Sequence, residues 1–288
     1  MKIPVEEELT KQGFAQAAAI TRQYAKTFYF ASHFFPKDKR YAAYSVYAVC
    51  RISDESVDSA LDQRHAQNLA VINEQISAVY ENRQLKNNLL LAFKQTVNKY
   101  RIPKNYFDDL LAGMRMDLEK NRYRDFSELE TYCYRVAGVV GLIMLKITVS
   151  DNREAERYAR DLGTAMQLTN IIRDIRQDYL MGRIYLPQDE MSRYAVTEEQ
   201  IGREKLDENL INLLKFQIQR ARQYYASSLE GIAMINDSSC RRAVSMMREI
   251  YAAILQSVEG NGYDVFSHRA CVGSFDKLRI ALKVLFKK

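Results

Sequence analysis

The sequence predicts a single all-α domain, and three observations lead to that fold class. The chain has 288 residues, of which only 4 are proline and 11 are glycine, the residues that most often interrupt helices. Apolar residues recur at helical spacing through most of the chain, and no stretch alternates as a half-buried strand does. No internal repeat or low-complexity segment divides it. We therefore expect one helical domain over residues 1–288.

Five helices are expected in the first part of the chain. Aromatic residues at helical spacing define the first, and Pro36 ends it. The apolar face of the second leads into an acidic last turn. The fifth begins at Pro103, since proline suits a first helical turn. The expected ranges are 14–35, 37–58, 63–81, 84–101 and 103–119.

The next helix, over 128–149, has two glycines in its interior. Ser127 would cap it, with Glu130 completing a capping box. Gly138 and Gly141 each cost about 1 kcal/mol relative to alanine. We therefore expect either close packing against another helix or a channel here for a long apolar ligand.

The rest of the chain is again helical, and its last helix is both basic and apolar. Lysine and arginine alternate there with leucine and phenylalanine, which is typical either of a solvated helix end or of a helix that contacts a membrane surface. The expected ranges are 152–181, 197–203, 206–234, 239–258 and 274–286.

Composition limits the class of protein. Apolar residues make up 47% and charged residues 27%, as in an ordinary globular protein. The net charge of +6 favours anionic ligands or an anionic membrane surface. Basic residues are scattered, so no nucleic acid is expected as a partner. Widely spaced cysteines and histidines indicate reduced, mostly buried thiols and no zinc site.

Location follows from the absence of targeting signals in the sequence. The chain starts without a signal-peptide pattern, and its longest markedly apolar run, 136–145, is too short to span a bilayer. We expect a cytoplasmic protein, with peripheral contact at the inner membrane face as the alternative.

Two segments far apart in the chain each place two aspartates one helical turn apart, beside an arginine. They contain Arg51, Asp54 and Asp58, and Arg173, Asp174 and Asp178. Residues four apart share a helix face, so each segment offers two carboxylates. Mg²⁺ typically binds through carboxylates and substrate phosphates. The pairs indicate an enzyme that holds diphosphates through Mg²⁺, although a solvated helix face would explain either pair alone.

The second pair continues a polar stripe on the helix expected over 152–181. Gly163, Gln167, Asn170, Asp174 and Asp178 keep one face by steps of three or four residues. Apolar residues occupy the other faces, which indicates a partly buried helix. Buried carboxylates without partners are costly, and a metal with an anionic ligand would remove that cost.

Several segments resemble the squalene/phytoene synthase family. They are 47–58, 132–138, 167–178, 182–187 and 262–269, and the resemblance spans about residues 20–285. It implies an isoprenoid-synthase helical fold around a central substrate cavity. It also implies head-to-head condensation of two prenyl diphosphates through a cyclopropylcarbinyl diphosphate.

The resemblance also implies the site residues. The implied metal ligands are Asp54, Asp58, Asn170, Asp174 and Asp178. Tyr132 joins the four aspartates as a catalytic residue. The implied substrate-binding residues are Tyr24, Lys26, Thr27, Phe28, Tyr47, Arg51, Gln167, Arg173, Tyr251 and Arg269. The implied cofactor is Mg²⁺, with Mn²⁺ as an alternative and no NADPH.

The implied partners are prenyl diphosphates, and the length of the prenyl chain decides the product. Phe28 and Ser32 lie one turn apart, and by resemblance this turn faces the deep end of the substrate tunnel. The small Ser32 favours phytoene formation from geranylgeranyl diphosphate, in carotenoid biosynthesis. The alternative is a dehydrosqualene (diapophytoene) synthase that uses farnesyl diphosphate. A squalene synthase, a chain-elongating prenyltransferase and a catalytically dead helical scaffold are the remaining alternatives. Release of the lipid product would bring the enzyme into peripheral contact with a membrane.

Overall fold

The computed structural model describes residues 5–58, 64–85, 87–149 and 152–286, and the side chains of 52–58 and 64–66 lie outside that description. The described residues form helices joined by short connections, and their one β-type pairing is an isolated parallel bridge between Arg122 and Ile184. The all-α prediction is confirmed. The helices are α1 (Val5–Tyr24), α2 (Lys26–Ser32), α3 (Lys37–Asp58), α4 (Arg64–Tyr80), α5 (Asn88–Lys99), α6 (Lys104–Glu119), α7 (Phe126–Cys133), α8 (Val139–Thr148), α9 (Arg153–Arg173), α10 (Ile175–Leu180), α11 (Gln188–Arg193), α12 (Glu198–Gly202), α13 (Glu208–Ala233), α14 (Ser238–Gly260) and α15 (Ser274–Phe286).

The first predicted helix is two helices, so the range 14–35 was wrong at both ends. α1 begins earlier, at Val5, and the chain leaves helical geometry at Ala25, where φ is −128° and ψ is 59°. α2 then begins at Lys26. Lys26 and Thr27 therefore lie in the first turn of a short helix, where backbone N–H groups have no intrahelical partner.

The predicted helix over 128–149 is also interrupted, and its cap was assigned to the wrong residue. A π-helical turn, Tyr134–Gly138, separates α7 from α8. The side chain of Asp125, rather than that of Ser127, accepts a hydrogen bond from the Glu128 N–H at 3.0 Å. The Glu128 carboxylate accepts one from the Arg124 N–H at 2.7 Å. The two bonds form a cap like a capping box that begins two residues earlier than predicted, with Glu128 bonded to the N–H of Arg124 instead of that of Asp125.

The predicted helix over 152–181 bends at Asp174. This residue has φ −105° and ψ 16°, which ends α9 and starts α10. The Asp178 N–H still donates to the Asp174 carbonyl at 2.9 Å, so the chain keeps its direction approximately. Asp174 therefore lies between the two helices, and Asp178 lies on α10. The short helix α11, which follows Pro187, was not predicted.

Glycines let α9 approach the preceding helical segment closely. A Cβ on Gly163 would lie 2.1 Å from the Ala137 carbonyl oxygen, and a Cβ on Gly141 would lie 2.1 Å from the Ala159 carbonyl oxygen. Both distances are shorter than any van der Waals contact. At Gly141 the missing side chain serves close packing, which contradicts the channel alternative at that position, whereas a Cβ on Gly138 would lie 3.2 Å from the Tyr134 ring.

Replacing Gly163 with alanine is expected to destabilise the fold by about 1–3 kcal/mol, because the new methyl group would force α9 away from the π-helical turn. Urea denaturation monitored by circular dichroism measures the change. Gly260→Ala is the matched control, since nothing lies within 4 Å of a Cβ at that position. Equal urea midpoints for the two variants would show that the packing at Gly163 accommodates an added methyl group.

The segment Phe126–Thr148 is long and apolar enough to cross a membrane by length and composition, although no spanning helix was predicted from the sequence. Half of its most apolar window is buried inside the protein. Leu129, Cys133, Val139 and Ile143 are among its fully buried residues. This burial is that of a core helix in a globular domain.

The cysteines are free thiols with different exposures. Cys133 and Cys240 are buried, Cys50 is half-buried and Cys271 is exposed. The prediction of mostly buried thiols therefore holds for two of the four. Burial raises the pKa of the Cys240 thiol to about 11, so this group is protonated at neutral pH.

Candidate active site

An aspartate held by two arginines lies at the centre of the candidate site. The Asp174 Oδ1 atom accepts from Arg173 Nε at 2.8 Å and from Arg269 Nε at 2.8 Å. Arg269 Nη2 also donates to Asp174 Oδ2 at 2.9 Å. Burial opposes ionisation of Asp174 most strongly, but the hydrogen bonds from Arg173 and Arg269 outweigh it and lower the pKa. The carboxylate is therefore ionised at neutral pH, and both guanidinium groups are fixed beside it.

Asp178 lies one turn further on and has the opposite electrostatics. Burial raises its pKa to about 7, and the negative charges of Asp174 and Asp117 add to the rise while Arg183 opposes it. An acidic group in this state carries an uncompensated charge whenever it is ionised. A bound cation would remove that penalty, which is the requirement predicted from the buried polar stripe.

Asp117 belongs to the same electrostatic cluster, although it was not among the predicted site residues. Its Oδ2 atom accepts from the Tyr132 hydroxyl at 3.0 Å, and its Oδ1 atom accepts from the Tyr185 hydroxyl at 2.7 Å. The Tyr132 and Tyr185 rings stack with centroids 5.0 Å apart. The sequence did contain a signal for Asp117, because this residue extends the buried series Leu110, Gly113 and Met114 by one turn. An acidic residue on an apolar helix face needs a partner.

Replacing Asp117 with asparagine is expected to lower kcat roughly tenfold with little change in KM, because the amide holds the Tyr132 hydroxyl less firmly and reacting groups tolerate little misplacement. Asp109→Asn is the matched control, since Asp109 lies on the same helix and accepts the Tyr134 hydroxyl at 2.9 Å. Steady-state kinetics and thermal melting of both variants measure the effect. Equal loss of kcat in the two would assign Asp117 a structural role only.

The loop after α10 is paired with the connection before α7. The Ile184 N–H donates to the Asn121 carbonyl at 3.0 Å, and Arg122 Nη1 donates to the Gly182 carbonyl at 2.8 Å. Gly182 has φ +80°, a conformation that favours glycine. This pairing holds Arg183 and Tyr185 next to Asp178, so the predicted loop motif serves to position the site.

A second group of predicted residues comes together where α1, α2 and α3 meet. The Phe28 and Tyr47 ring centroids are 5.6 Å apart. The Arg51 guanidinium carbon lies 4.9 Å from the centroid of the Tyr24 ring. Lys26 is exposed and Thr27 is half-buried in the first turn of α2. An aromatic surface and a cation are therefore adjacent.

The remaining predicted residues lie on α9 and α14. Asn170 Nδ2 contacts Gln167 Oε1 at 3.4 Å, so the two amides share one helix face. Burial raises the pKa of Tyr251, and the nearby charges of Arg173 and Arg269 oppose the rise. Tyr251 thus lies beside Arg173 and Arg269.

The structure describes the side chains of three of the five predicted metal ligands. The side chains of Asp54 and Asp58 lie outside the described residues. Within the described ranges, no three histidine, cysteine, aspartate or glutamate side chains lie together as a metal site. Asn170, Asp174 and Asp178 offer oxygen donors, which suit a hard cation such as Mg²⁺. Together with the uncompensated charge on Asp178, this donor set fits the group that the resemblance implies.

Comparison with known proteins identifies relatives along nearly the whole chain. The sequence profile described as squalene/phytoene synthase matches residues 21–276. A phytoene synthase from Arthrospira platensis is 39% identical over 90% of this chain and 88% of its own. A 15-cis-phytoene synthase from Synechococcus elongatus is 34% identical over 93% of this chain and 90% of its own.

Solved structures show the same fold. A crystal structure of a dehydrosqualene synthase in complex with ligand superposes with a TM-score of 0.91 at 30% identity, covering 97% of this chain and 98% of that chain. Squalene synthase HpnC from Alicyclobacillus acidocaldarius superposes with a TM-score of 0.83 at 25% identity, covering 92% of this chain and 98% of that chain. The predicted isoprenoid-synthase fold is confirmed.

Proposed function

The chain belongs to the squalene/phytoene synthase family, and we propose that it joins two molecules of geranylgeranyl diphosphate head to head to give phytoene. The reaction passes through a cyclopropylcarbinyl diphosphate, as the family resemblance implies. The observation that carries the proposal is the cluster of Arg173, Arg269, Asp174 and Asp178, which combines anion-binding cations with carboxylates suited to a divalent metal. Relatives of 39% and 34% identity that are named phytoene synthases support the choice of product.

The two arginines would bind the diphosphate that leaves the first substrate. A guanidinium offers a planar set of donors that matches phosphate oxygens, and both groups are already fixed beside Asp174. When bound through Asp54, Asp58, Asn170, Asp174 and Asp178, Mg²⁺, or Mn²⁺ as the alternative, supplies neutralisation of the diphosphate charge. No nicotinamide cofactor is needed for this product.

The aromatic residues would protect the carbocation that remains after the diphosphate departs. Faces of Phe28 and Tyr47 can each stabilise a desolvated cation by about 0.5–2 kcal/mol. They also exclude water, which would quench the cation. Tyr132, held by Asp117, is a hydroxyl with a fixed orientation and a pKa that burial raises well above its usual value. It remains protonated, and because its one proton is donated to Asp117, its oxygen can accept but not donate a further hydrogen bond.

Product analysis tests the proposal. The purified protein is incubated with Mg²⁺ and either the C15 or the C20 prenyl diphosphate, without nicotinamide, and the apolar extract is analysed by mass spectrometry. We expect a C40 hydrocarbon from the C20 substrate. A C30 hydrocarbon alone would transfer the assignment to the dehydrosqualene synthase alternative, which the solved structure at 30% identity represents. No hydrocarbon and no Mg²⁺-dependent binding of a nonreactive diphosphate would favour the scaffold.

Replacing Ser32 with phenylalanine is expected to shift the product ratio towards C30 by about tenfold. Ser32 is buried on α2, and its hydroxyl lies 2.7 Å from the Tyr44 hydroxyl. A ring at this position would shorten the space for a prenyl chain and disturb Tyr44. Ser32→Ala is the control, since it removes the hydrogen bond without adding bulk, and competition between both substrates gives the ratio. An unchanged ratio in Ser32→Phe would move the chain-length determinant elsewhere.

The cytoplasm is the location that we propose. Four free cysteines, including the exposed Cys271, suit a reducing compartment. The apolar hydrocarbon product would then have to leave the enzyme for a membrane.

A further inference from the structure

The last helix, α15, buries one apolar side and exposes another. Ala281 is buried, and Ile280 and Val284 pack with it against the cluster that contains Met247 and Ile250. These contacts attach α15 to α14 and account for its stability. They leave the opposite side of the helix unexplained, since a helix at a protein surface normally exposes polar residues there.

The exposed side of α15 is lined by large apolar residues, which we call the C-terminal apolar face. Their spacing of three, four, three and one residues places them on one side of the helix. They contribute five of the eleven exposed large apolar residues in the described part of the chain. Their exposed fractions are 79% for Phe275, 54% for Leu278, 48% for Leu282, 41% for Leu285 and 80% for Phe286. Continuous apolar surface of this kind marks an interaction site.

Cations border the C-terminal apolar face. By helical geometry, Arg279 and Lys283 follow one edge of this face. Asp276 is the one acidic residue of α15, and it pairs with Arg279 at 3.4 Å. An apolar face bordered by basic residues fits the boundary between the headgroups and acyl chains of an anionic bilayer. It fits a second copy of itself poorly, because the cations of two copies would repel each other.

We propose that the C-terminal apolar face docks the enzyme on an anionic membrane surface. The helix lies in the interface with Phe275, Leu278, Leu282, Leu285 and Phe286 among the acyl chains, and its cations contact lipid phosphates. The proposal rests on α15 alone and holds whichever prenyl chain length the enzyme uses. It places the domain where an apolar product can enter the bilayer.

Vesicle flotation with the full chain tests the proposal. Vesicles contain phosphatidylcholine with or without about 30% phosphatidylglycerol, and binding is measured at two salt concentrations. Leu278→Glu/Leu282→Glu is expected to weaken binding to the anionic vesicles by at least about tenfold. The matched control is Val71→Glu/Leu229→Glu, which adds the same charges at apolar residues exposed to 55% and 45% on other helices. It is expected to reduce binding by less than about threefold.

A second pair of variants tests the contribution of charge. Arg279→Gln/Lys283→Gln is expected to weaken binding roughly 25-fold, since each basic residue near an anionic surface contributes about a fivefold effect. Arg203→Gln/Lys205→Gln is the control at two other exposed cations. Activity in detergent is expected to be unchanged in the two α15 double variants and in their two controls. Failure of docking can therefore be told apart from failure of catalysis.

Three results would overturn the proposal. One is wild-type protein that does not float with anionic vesicles. Another is equal binding of the α15 variants and their controls. The third is a concentration-dependent dimer of the wild type that Leu278→Glu/Leu282→Glu dissociates, which would assign the face to a second copy of the chain.

Discussion

Replacing Asp178 with asparagine is expected to stabilise the metal-free protein at about pH 8 while lowering kcat/KM by about 10²–10³. Burial, with the charges of Asp174 and Asp117, raises the Asp178 pKa to about 7. The ionised group is therefore costly in the empty site, and asparagine removes the charge at nearly constant shape. Activity falls because the same charge is needed to hold a metal and its diphosphate.

The pH dependence of stability follows from the sign of the shift. A carboxyl with a raised pKa in the folded state binds its proton more tightly there than in the unfolded chain. Its protonation stabilises the fold at low pH, and the advantage is lost as pH rises from the ordinary aspartate pKa of 3.8 to about 7. At about 1.4 kcal/mol per pKa unit, the penalty above this window is at most about 4 kcal/mol.

The measurement is urea denaturation in a chelating buffer at about pH 4 and pH 8. Asp178→Asn and the wild type should differ little at the lower pH, and the variant should be more stable at the higher one. Asp108→Asn is the control, because Asp108 is exposed and pairs with Lys104 at the surface, where an ion pair contributes about 0–1 kcal/mol. A variant that is no more stable than wild type at pH 8 would contradict the uncompensated charge.

The sequence predicted the helices well because helical periodicity and a scarcity of proline are local signals. α3, α6, α13 and α15 begin and end within about two residues of their predicted ranges. The breaks at Ala25 and Asp174 were missed, since neither lies beside a proline or glycine, and the break at Tyr134 was missed although Gly138 lies in the interrupted turn. Close packing between helices accompanies the break at Tyr134, where Gly163 approaches Ala137. Such contacts link residues far apart in sequence.

The candidate site was predictable in its residue types but not in its partnerships. Spacing indicated that Asp174 and Asp178 share a face, and the structure gives them opposite pKa shifts. Burial acts on both carboxyls, but Asp174 also accepts hydrogen bonds from Arg173 and from Arg269, which lies 95 positions away in the sequence. Asp117 was missed for a related reason, because its two tyrosine partners come from α7 and the loop after α10.

Replacing Arg173 with glutamine is expected to lower kcat/KM about 100-fold, in line with the loss of one charged donor from a preorganised anion site. Arg173 is largely buried, with 14% of its side chain exposed, and donates through Nε to Asp174 at 2.8 Å. Burial strengthens the interaction of each charged donor with the diphosphate, because little water is available to take the place of a donor that is lost. Arg269 still pairs with Asp174 in the variant, which limits the effect on folding.

Arg176→Gln is the matched control for this prediction. Arg176 lies three residues further along the same segment, is 50% exposed and pairs with Glu204, and surface pairs contribute little. Alongside kinetics, titration calorimetry with Mg²⁺ and inorganic diphosphate should show weaker binding in Arg173→Gln and unchanged binding in Arg176→Gln. Loss of stability would lower the amount of folded enzyme without changing the affinity of the remainder. Unchanged diphosphate affinity in Arg173→Gln would therefore limit Arg173 to holding Asp174, and would leave Arg269 as the cation that receives the leaving group.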